Sequence, residues 1–541
     1  MAQDRTSRRI VILGGGFAGV ETAIALEKGM SRHERETTEI VLVSENNYLV
    51  FQPLLPEVIS GTLETLHCIA PIRRLTRWTK LYTRRIERID LKARQVQLAP
   101  GYLPKPLTLN YDHLVIALGT QLNFDLVPGS REHALPFKYL EDALRLRNRI
   151  VQALEEADNE PDPAEKQRLL TFLVAGGGFS GVECLAELND FVQAAVHAYR
   201  NIRPEEIRCV LVQSGERILP ELDAGLASYA QAILERRGIE IHLNTRMKAV
   251  SADAVVIQAK TGGEPQQIPT RTVVTTVPAA PHPLISQLEC PQERGRITVD
   301  EHLRVTDCDG LWSLGDCAAV PQKDGITSPP TAQHAVRQAK TCAKNILNSL
   351  RGKPLKPFLF TGLGKLASLG QRAAVAEVMG IKLRGFLAWL AWRTIYLSKF
   401  PGWSGKMRVA IDWTADILLP RDITQLRIRR DDAVHREHFH TGEIIFDAGD
   451  FGDKLYVVVR GDVEILKGAA IIATLGEREV FGEMALVSDH GRSATVRAKT
   501  DVDVVTVSRS AFQQLVNYLP GVSPAIEEII QKHGATLPEL T

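Results

Sequence analysis

The residues RIVILGGGFAG, Arg9 to Gly19, constrain this chain more than any other stretch. Ile10 to Leu13 are four consecutive apolar residues, the pattern of a short strand buried on both faces. Gly14, Gly16 and Gly19 follow in G-x-G-x-x-G spacing, and VETAIALEK continues as an amphipathic helix. In such a unit Gly14 allows the tight bend, Gly16 lets a pyrophosphate approach the backbone, and Gly19 lets the helix pack close to the strand. The helix N-terminus offers free N–H groups and a positive dipole end to the phosphates. A lone turn of this kind can be purely structural. Here TFLVAGGGFSGVECLAEL repeats it: Gly176, Gly178 and Gly181 match the first three glycines, and Phe179 matches Phe17. Both copies continue Gly-Val-Glu, at Gly19-Val20-Glu21 and Gly181-Val182-Glu183. Two such units call for two dinucleotides, and a flavin with a nicotinamide is the usual pair.

The residue that closes the second strand of each unit tells the two apart. EIVLV, Glu39 to Val43, is followed by Glu45, and an acid there accepts hydrogen bonds from an adenosine ribose. The second unit has IRCVLVQ, with Gln213 at that place. A carboxylate would repel the 2′-phosphate of NADPH; Gln213 does not, so the NADH/NADPH preference stays open. Arg217 either meets a phosphate or is a solvated loop residue. The first unit is therefore assigned the flavin and the second the exchangeable nicotinamide.

At 541 residues the chain has room for three or four domains. Its 65 basic and 64 acidic residues nearly balance, which argues against a dominant nucleic-acid-binding role. The seven cysteines are scattered without a CxxC, as expected of reduced thiols rather than a disulfide framework or zinc site. The first strand starts at about Ile10, and no apolar run reaches the ~18 residues of a spanning helix. The expectation is a soluble or peripheral protein facing the cytoplasm. Glu155 to Lys166, EEADNEPDPAEK, reads as an exposed excursion.

Residues 8 to about 415 resemble type II (alternative) NADH:quinone oxidoreductases, single-chain peripheral membrane flavoenzymes. The motifs are GGGFAG, the F-x-PLLPEV-x-SG segment at Phe51 to Gly61, HLVIALG, GGGFSGVE, SLGDCA and PPTAQHA, in that order. The resemblance implies an α/β architecture of two Rossmann-like dinucleotide-binding domains. FAD would be held by residues 1–125 and 290–350, and NAD(P)H by 126–289. It implies that Gly14, Gly16, Gly19 and Glu45 hold the ADP part of FAD, and that Gly315 and Asp316 lie at its ribityl-phosphate side. Gly176, Gly178, Gly181 and Gln213 are the matching nicotinamide positions. Glu183 matches a family glutamate near the flavin and nicotinamide rings, where it can orient the stack or relay a proton; its other reading is a helix N-terminal glutamate favoured by the dipole. TAQHA resembles the family's A-Q-x-A-x-Q quinone helix. Ala332, Gln333 and Ala335 fit, while the second glutamine falls at Arg337, with Gln338 one place late. The implied reaction passes hydride from NADH or NADPH to FAD, then two electrons to a quinone, without proton pumping. The resemblance also suggests a homodimer on the cytoplasmic side of the inner membrane. An NAD(P)H reductase of a non-quinone acceptor is the alternative enzyme.

Leu383 to Trp403, LRGFLAWLAWRTIYLSKFPGW, belongs to a region of residues 351–420 expected to face quinone and membrane. It either lies at a bilayer surface or forms a core helix or dimer face. Family members usually end in amphipathic anchor helices after this point, whereas this chain is expected to run straight into another module. From about Arg430 short strands and recurrent glycines read as an all-β roll with flanking helices, spanning 421–541. It resembles the cyclic-nucleotide-binding domain shared by the catabolite activator protein and cyclic-nucleotide-dependent kinases, through F-G-E-M-A-L and G-R-S-A-T-V. The resemblance implies that Glu483 accepts from the ribose 2′-hydroxyl and that Gly482 and Ala485 offer N–H groups. Arg492 would pair with the cyclic phosphate and Ser493 would be a further contact. The ligand would be cAMP or cGMP, regulating the flavoenzyme; a degenerate roll, or a nucleotide sensor on a flavoprotein scaffold, are the other readings. No helix-turn-helix follows, so DNA binding is unsupported.

Overall fold

The computed structural model describes residues 8–100, 106–124, 126–276, 279–322, 326–419, 421–425, 434–450, 454–468, 470–482 and 492–508. The chain divides into two compact units, Met1–Gln425 and Leu426–Thr541.

The first unit carries two five-stranded parallel sheets. In chain order their strands are β1 (Arg8–Leu13), β2 (Thr38–Ser44), β3 (Lys80–Thr83), β4 (His113–Ile116) and β5 (Ala134–Pro136). Then come β6 (Thr171–Ala175), β7 (Arg208–Val212), β8 (Ile239–His242), β9 (Thr272–Thr275) and β10 (Leu311–Ser313). The first sheet runs β10-β4-β1-β2-β3 and the second β5-β9-β6-β7-β8. Each sheet thus centres on the strand that leads into a glycine turn. The apolar runs predicted for these strands are buried as expected: Ile10 to Leu13 and Phe172 to Val174 are fully enclosed. A strand covered by helices on both faces must be apolar on both.

The helices that matter for the site are α1 (Phe17–Gly29), α2 (Leu55–Ser60), α3 (Leu140–Asn159), α4 (Phe179–Ala195), α5 (Ala224–Arg236) and α6 (Ala332–Leu350). Because β10 pairs with β4, the chain returns to the first sheet after completing the second. Helix α6 follows and packs against α1 in the same core, with Leu26, Ile346 and Leu347 buried together. The expected excursion at Glu155 to Lys166 is mostly exposed but largely helical. Helix α3 runs on to Asn159 because Ala153, Leu154 and Ala157 bury a stripe against the core, and a new helix opens at Pro163.

A three-stranded antiparallel sheet follows: β11 (Gly364–Ser368), β12 (Ala374–Val378) and β13 (Ile381–Gly385). Two helices, α7 (Phe386–Lys399) and α8 (Trp403–Leu418), complete the unit. The two readings of the aromatic stretch meet in one pair of helices. Ala388, Trp392, Phe400, Val409 and Trp413 are buried in the core shared with α2 and α4. Phe386, Leu387, Leu390, Trp403, Ile411 and Leu418 remain exposed. Helix α8 also corrects the expectation that the chain passes directly into the next module: a second two-sided helix comes first. No helix among the described residues is long and apolar enough to cross a membrane.

The second unit holds β14 (Val434–Phe439), β15 (Ile444–Phe446), β16 (Lys454–Arg460), β17 (Val463–Lys467), β18 (Ala470–Leu475), β19 (Val480–Phe481), β20 (Thr495–Ala498) and β21 (Val502–Ser508). They form two antiparallel four-stranded sheets, β14-β21-β16-β19 and β15-β20-β17-β18. Tyr456, Val458, Val463, Phe481, Val496 and Val504 fill the space between them. The helices expected after Phe512 lie outside the described residues.

Candidate functional site

The two glycine turns are built alike, atom for atom. The Gly14 N–H donates to Val43 O at 2.8 Å, and the Gly176 N–H to Val212 O at 2.9 Å. Both glycines sit at positive φ, 111° and 117°, a conformation that only glycine adopts without strain. A Cβ at Gly19 would strike the carbonyl oxygen of Gly14, and one at Gly181 that of Gly176. Those glycines are demanded by packing. Gly16 and Gly178 are different: a Cβ there would meet nothing within 4 Å. Each therefore faces an open cradle at a helix N-terminus, which fits a dinucleotide pyrophosphate.

Around the first turn, Glu45 stands exposed just beyond the end of β2. Gly315 and Asp316 open a 3-10 turn after β10. A Cβ at Gly315 would lie 3.1 Å from that of Ala18, so this loop reaches the start of α1. Burial raises the Asp316 carboxyl, while the nearby cations Lys138 and Arg296 oppose the rise. Lys138 is itself held by the backbone and hydroxyl of Thr120. The first-unit residues predicted from distant parts of the sequence are thus brought to one end of one sheet.

The α6 residues behave less simply. Ala332 opens the helix. The Gln333 amide is engaged on both sides: it donates to Gly364 O at 3.2 Å and accepts from Leu363 N at 3.1 Å. Through these two bonds it anchors the start of β11. Arg337 donates to Gln333 O at 3.0 Å and lays its guanidinium 4.1 Å over the Phe360 ring. Gln338, one place late in the motif, is 2% exposed, and its Oε1 accepts from Gly315 N at 2.8 Å. Sequence spacing singled out Gln338 but could not show that it positions the Gly315–Asp316 loop.

Glu183 lies at the start of the second turn of α4, two residues after Gly181, and is 8% exposed. Its Oε1 accepts from Ser368 N at 2.9 Å and from Trp392 Nε1 at 3.2 Å. Burial pushes its carboxyl up to about 8, with the two hydrogen bonds pulling the other way. At neutral pH it can therefore both hold and release a proton. Tyr396 and Phe51 lie beyond Trp392 in an edge-to-face chain of rings reaching Phe17 in the first turn. Neither Ser368 nor Trp392 carried a motif; only the return of β11 and α7 onto α4 reveals them.

Gln213 folds back onto its own turn. Its Oε1 accepts from Gly177 N at 3.0 Å and its Nε2 donates to Arg217 O at 3.3 Å. The Arg217 side chain is half-buried and donates to Pro220 O at 2.8 Å. An amide, not a carboxylate, thus closes β7.

In the second unit, Arg492 is 6% exposed and donates to Gly482 O at 2.7 Å and Lys454 O at 2.8 Å. Its guanidinium lies 4.2 Å from the Phe446 ring centroid. Gly482 sits at φ 81°, and a Cβ there would press on Arg492. Ser493 is exposed. Glu483 and Ala485 lie outside the described residues.

Comparison with known proteins follows the same division. Residues 8–339 match the family described as pyridine nucleotide-disulphide oxidoreductase. Residues 363–422 match the NDH2 C-terminal domain, and 436–518 the cyclic nucleotide-binding domain. The chain is 34% identical over 408 residues to the demethylphylloquinone reductase NdbB of Synechocystis, covering 75% of this chain and 95% of that protein. It is 30% identical over 420 residues to the type II NADH:quinone oxidoreductase NdhA of Mycobacterium tuberculosis, covering 75% and 86%. The NDH2 structure from Plasmodium falciparum in complex with NADH superposes with a TM-score of 0.72 at 21% identity, covering 77% of this chain and all of that one. At that identity the likeness shows the fold.

Proposed function

Since this chain belongs to the pyridine nucleotide-disulphide oxidoreductases, and among them to the type II NADH:quinone oxidoreductases, it is an NAD(P)H dehydrogenase of quinones, and we propose how its parts serve that reaction. The first cradle, with Gly14, Gly16, Gly19, Glu45, Gly315 and Asp316, holds FAD. The second, with Gly176, Gly178, Gly181 and Gln213, holds NADH or NADPH. A flavin bound there supplies the two-electron chemistry, taking hydride from the nicotinamide and giving two electrons to a quinone. The observation that carries this reading is the pair of equivalent turns, each leaving one glycine open to a ligand while a second sits at positive φ and a third is closed by packing.

The protein's own contribution is placement and proton handling. Gln338 fixes the Gly315–Asp316 loop through one partly buried hydrogen bond. Glu183, buried beside the nicotinamide turn, holds or releases a proton at its carboxylate. Gln333 shapes the quinone end of α6 through the Leu363–Gly364 backbone, and Arg337 offers the cationic donor there. The amide of Gln213 lets NADPH compete with NADH, because no strand-end carboxylate repels a 2′-phosphate.

The exposed apolar faces of α7 and α8 rest on the cytoplasmic surface of the inner membrane, where a lipid-soluble quinone is reached without spanning the bilayer. The enzyme pumps no protons and acts as a homodimer. The roll binds cAMP or cGMP through Arg492, Gly482, Ser493, Glu483 and Ala485 and regulates turnover. The test is anaerobic reduction of the bound flavin by NADH and by NADPH, followed by a quinone chase with and without cAMP or cGMP. Both nucleotides bleach the flavin and quinone restores it. A flavin that NADH fails to bleach, or that quinone fails to restore, refutes the reading.

A further inference from the structure

Hydride transfer leaves one proton to be found. Hydride brings two electrons and one proton, whereas a quinol carries two of each, so the second proton comes from water. A cavity of about 480 Å³ opens in the wall formed by α2, α4, α7 and α8, lined among others by Glu57, Glu187, Asp190, His197, Arg393 and Asp416. Glu57 is 4% exposed and Glu187 6%. Two buried carboxyls, Glu57 and Glu183, are held in the same way. Trp413 Nε1 donates to Glu57 Oε2 at 2.7 Å, and Trp392 Nε1 to Glu183 Oε1 at 3.2 Å. The two indoles are neighbours, with centroids 6.4 Å apart. Glu187 lies one turn after Glu183 on α4, hence on the same face. Glu57 and Glu187 thus line the cavity, and Glu183, one turn before Glu187 on the same helix face, lies outside its lining while feeling the charge of both.

We propose that Glu57, together with Glu187, passes the proton consumed in quinone reduction from water in the cavity to Glu183. The inference rests on the proposed reading of Glu183. At each transfer an O–H bond of the donor carboxyl breaks as one forms on the next, and water in the cavity restores the proton on Glu57. No electron moves. The setting suits a carrier more than a structural ion pair. The cation against Glu57 is Arg393, at 3.6 Å, and Arg393 is clamped between the rings of Trp389 and Trp413 at 4.4 and 4.5 Å. Burial, Glu187 and Asp416 favour the protonated Glu57, whereas Arg393 and the Trp413 N–H favour its anion. Facing Glu183 are Glu57 and Glu187, which raise it, and the Ser368 and Trp392 donors, which lower it. Neither form of either carboxyl is locked.

The test uses the flavin-loaded full-length protein in anaerobic stopped-flow. Three rates are read: flavin reduction by NADH, reoxidation by a short-chain quinone, and reoxidation by ferricyanide, which takes electrons without protons. Glu57→Gln keeps an acceptor for Trp413 but cannot relay. It is expected to leave the first and third rates within about twofold and to slow the quinone step about tenfold or more. Its solvent deuterium effect rises and its pH profile shifts. Glu187→Gln is expected to act in the same direction, and provides the second readout if Glu57→Gln folds poorly. Quinone reoxidation at the wild-type rate in both variants across about pH 6 to 9 overturns the proposal. So does equal slowing with quinone and ferricyanide, which marks a structural role. If the wild type is reoxidised by ferricyanide but not by quinone, the parent reading fails, and the relay with it.

Discussion

Replacing Glu183 by glutamine is expected to make the enzyme relatively more stable as pH rises. In the folded protein burial pushes this carboxyl from 4.5 up to about 8. The gap is about 3.5 units, and at ~1.36 kcal/mol per unit it amounts to about 5 kcal/mol. The sign follows from which form the fold prefers. Folding favours the protonated carboxyl, so its contribution is full below the unfolded value of 4.5, declines as pH rises, and is lost by about pH 8. Glutamine does not titrate, yet its carbonyl oxygen still accepts from Ser368 N and Trp392 Nε1. Its amide adds a pH-independent offset, so the informative quantity is the change in the difference between the two proteins. With an unfolding entropy near 2.1 cal/mol/K per residue over the first unit, Met1–Gln425, 5 kcal/mol corresponds to a shift of about 5 °C. The assay is thermal unfolding of the flavin-loaded wild type and Glu183→Gln at about pH 5 and about pH 8.5. The variant's Tm gains several degrees on the wild type between the two. Parallel Tm–pH curves would show that Glu183 is ionised in the folded protein and has no proton to give.

Three further outcomes follow from the geometry. Gly178→Ala projects its Cβ into open space and is expected to fold within about 0.5 kcal/mol of wild type while the KM for NADH rises. Gly181→Ala drives its Cβ onto the Gly176 carbonyl and costs about 2 kcal/mol or more, read as a lower Tm; equal behaviour of the two would refute the division of labour among the glycines. Gln338→Leu takes the acceptor from the partly buried Gly315 N–H, costing about 1 kcal/mol, and flavin is lost faster during gel filtration. Arg492→Met removes the bonds to Gly482 O and Lys454 O. It is expected to cost the second unit about 2–4 kcal/mol in urea unfolding and to abolish calorimetric binding of cAMP or cGMP; retained binding would show that Arg492 serves the fold alone.

Local physics made the glycine turns legible in advance. A buried strand, a positive-φ glycine and a close-packed helix each demand particular residue types at fixed spacing, so the two copies match residue for residue. The acid at Glu45 and the amide at Gln213 are readable because each stands directly after the second strand of its unit. What Gln213 does is not: its hydrogen bond to Gly177 depends on β6 and β7 lying side by side. The aromatic helix at Phe386 to Lys399 had two competing readings because periodicity reports that faces exist, not what covers them. Only the packing of α7 and α8 on α2 and α4 assigns one face to the core and leaves the other exposed.

The sequence by itself therefore determined the two nucleotide cradles and the roll that follows them. The signal of each cradle lies within one turn, where backbone conformation dictates residue type, and that of the roll in its recurrent glycines and two short motifs. Tertiary structure alone decided the surroundings of Glu183. Its partners Ser368 and Trp392 come from segments 185 and 209 residues away, and no local rule links them. It also decided that Gln338 holds the Gly315 loop, and that Glu57 and Glu187 line one cavity. A carboxyl's proton affinity is set by what excludes water from it, and that is a property of the folded chain.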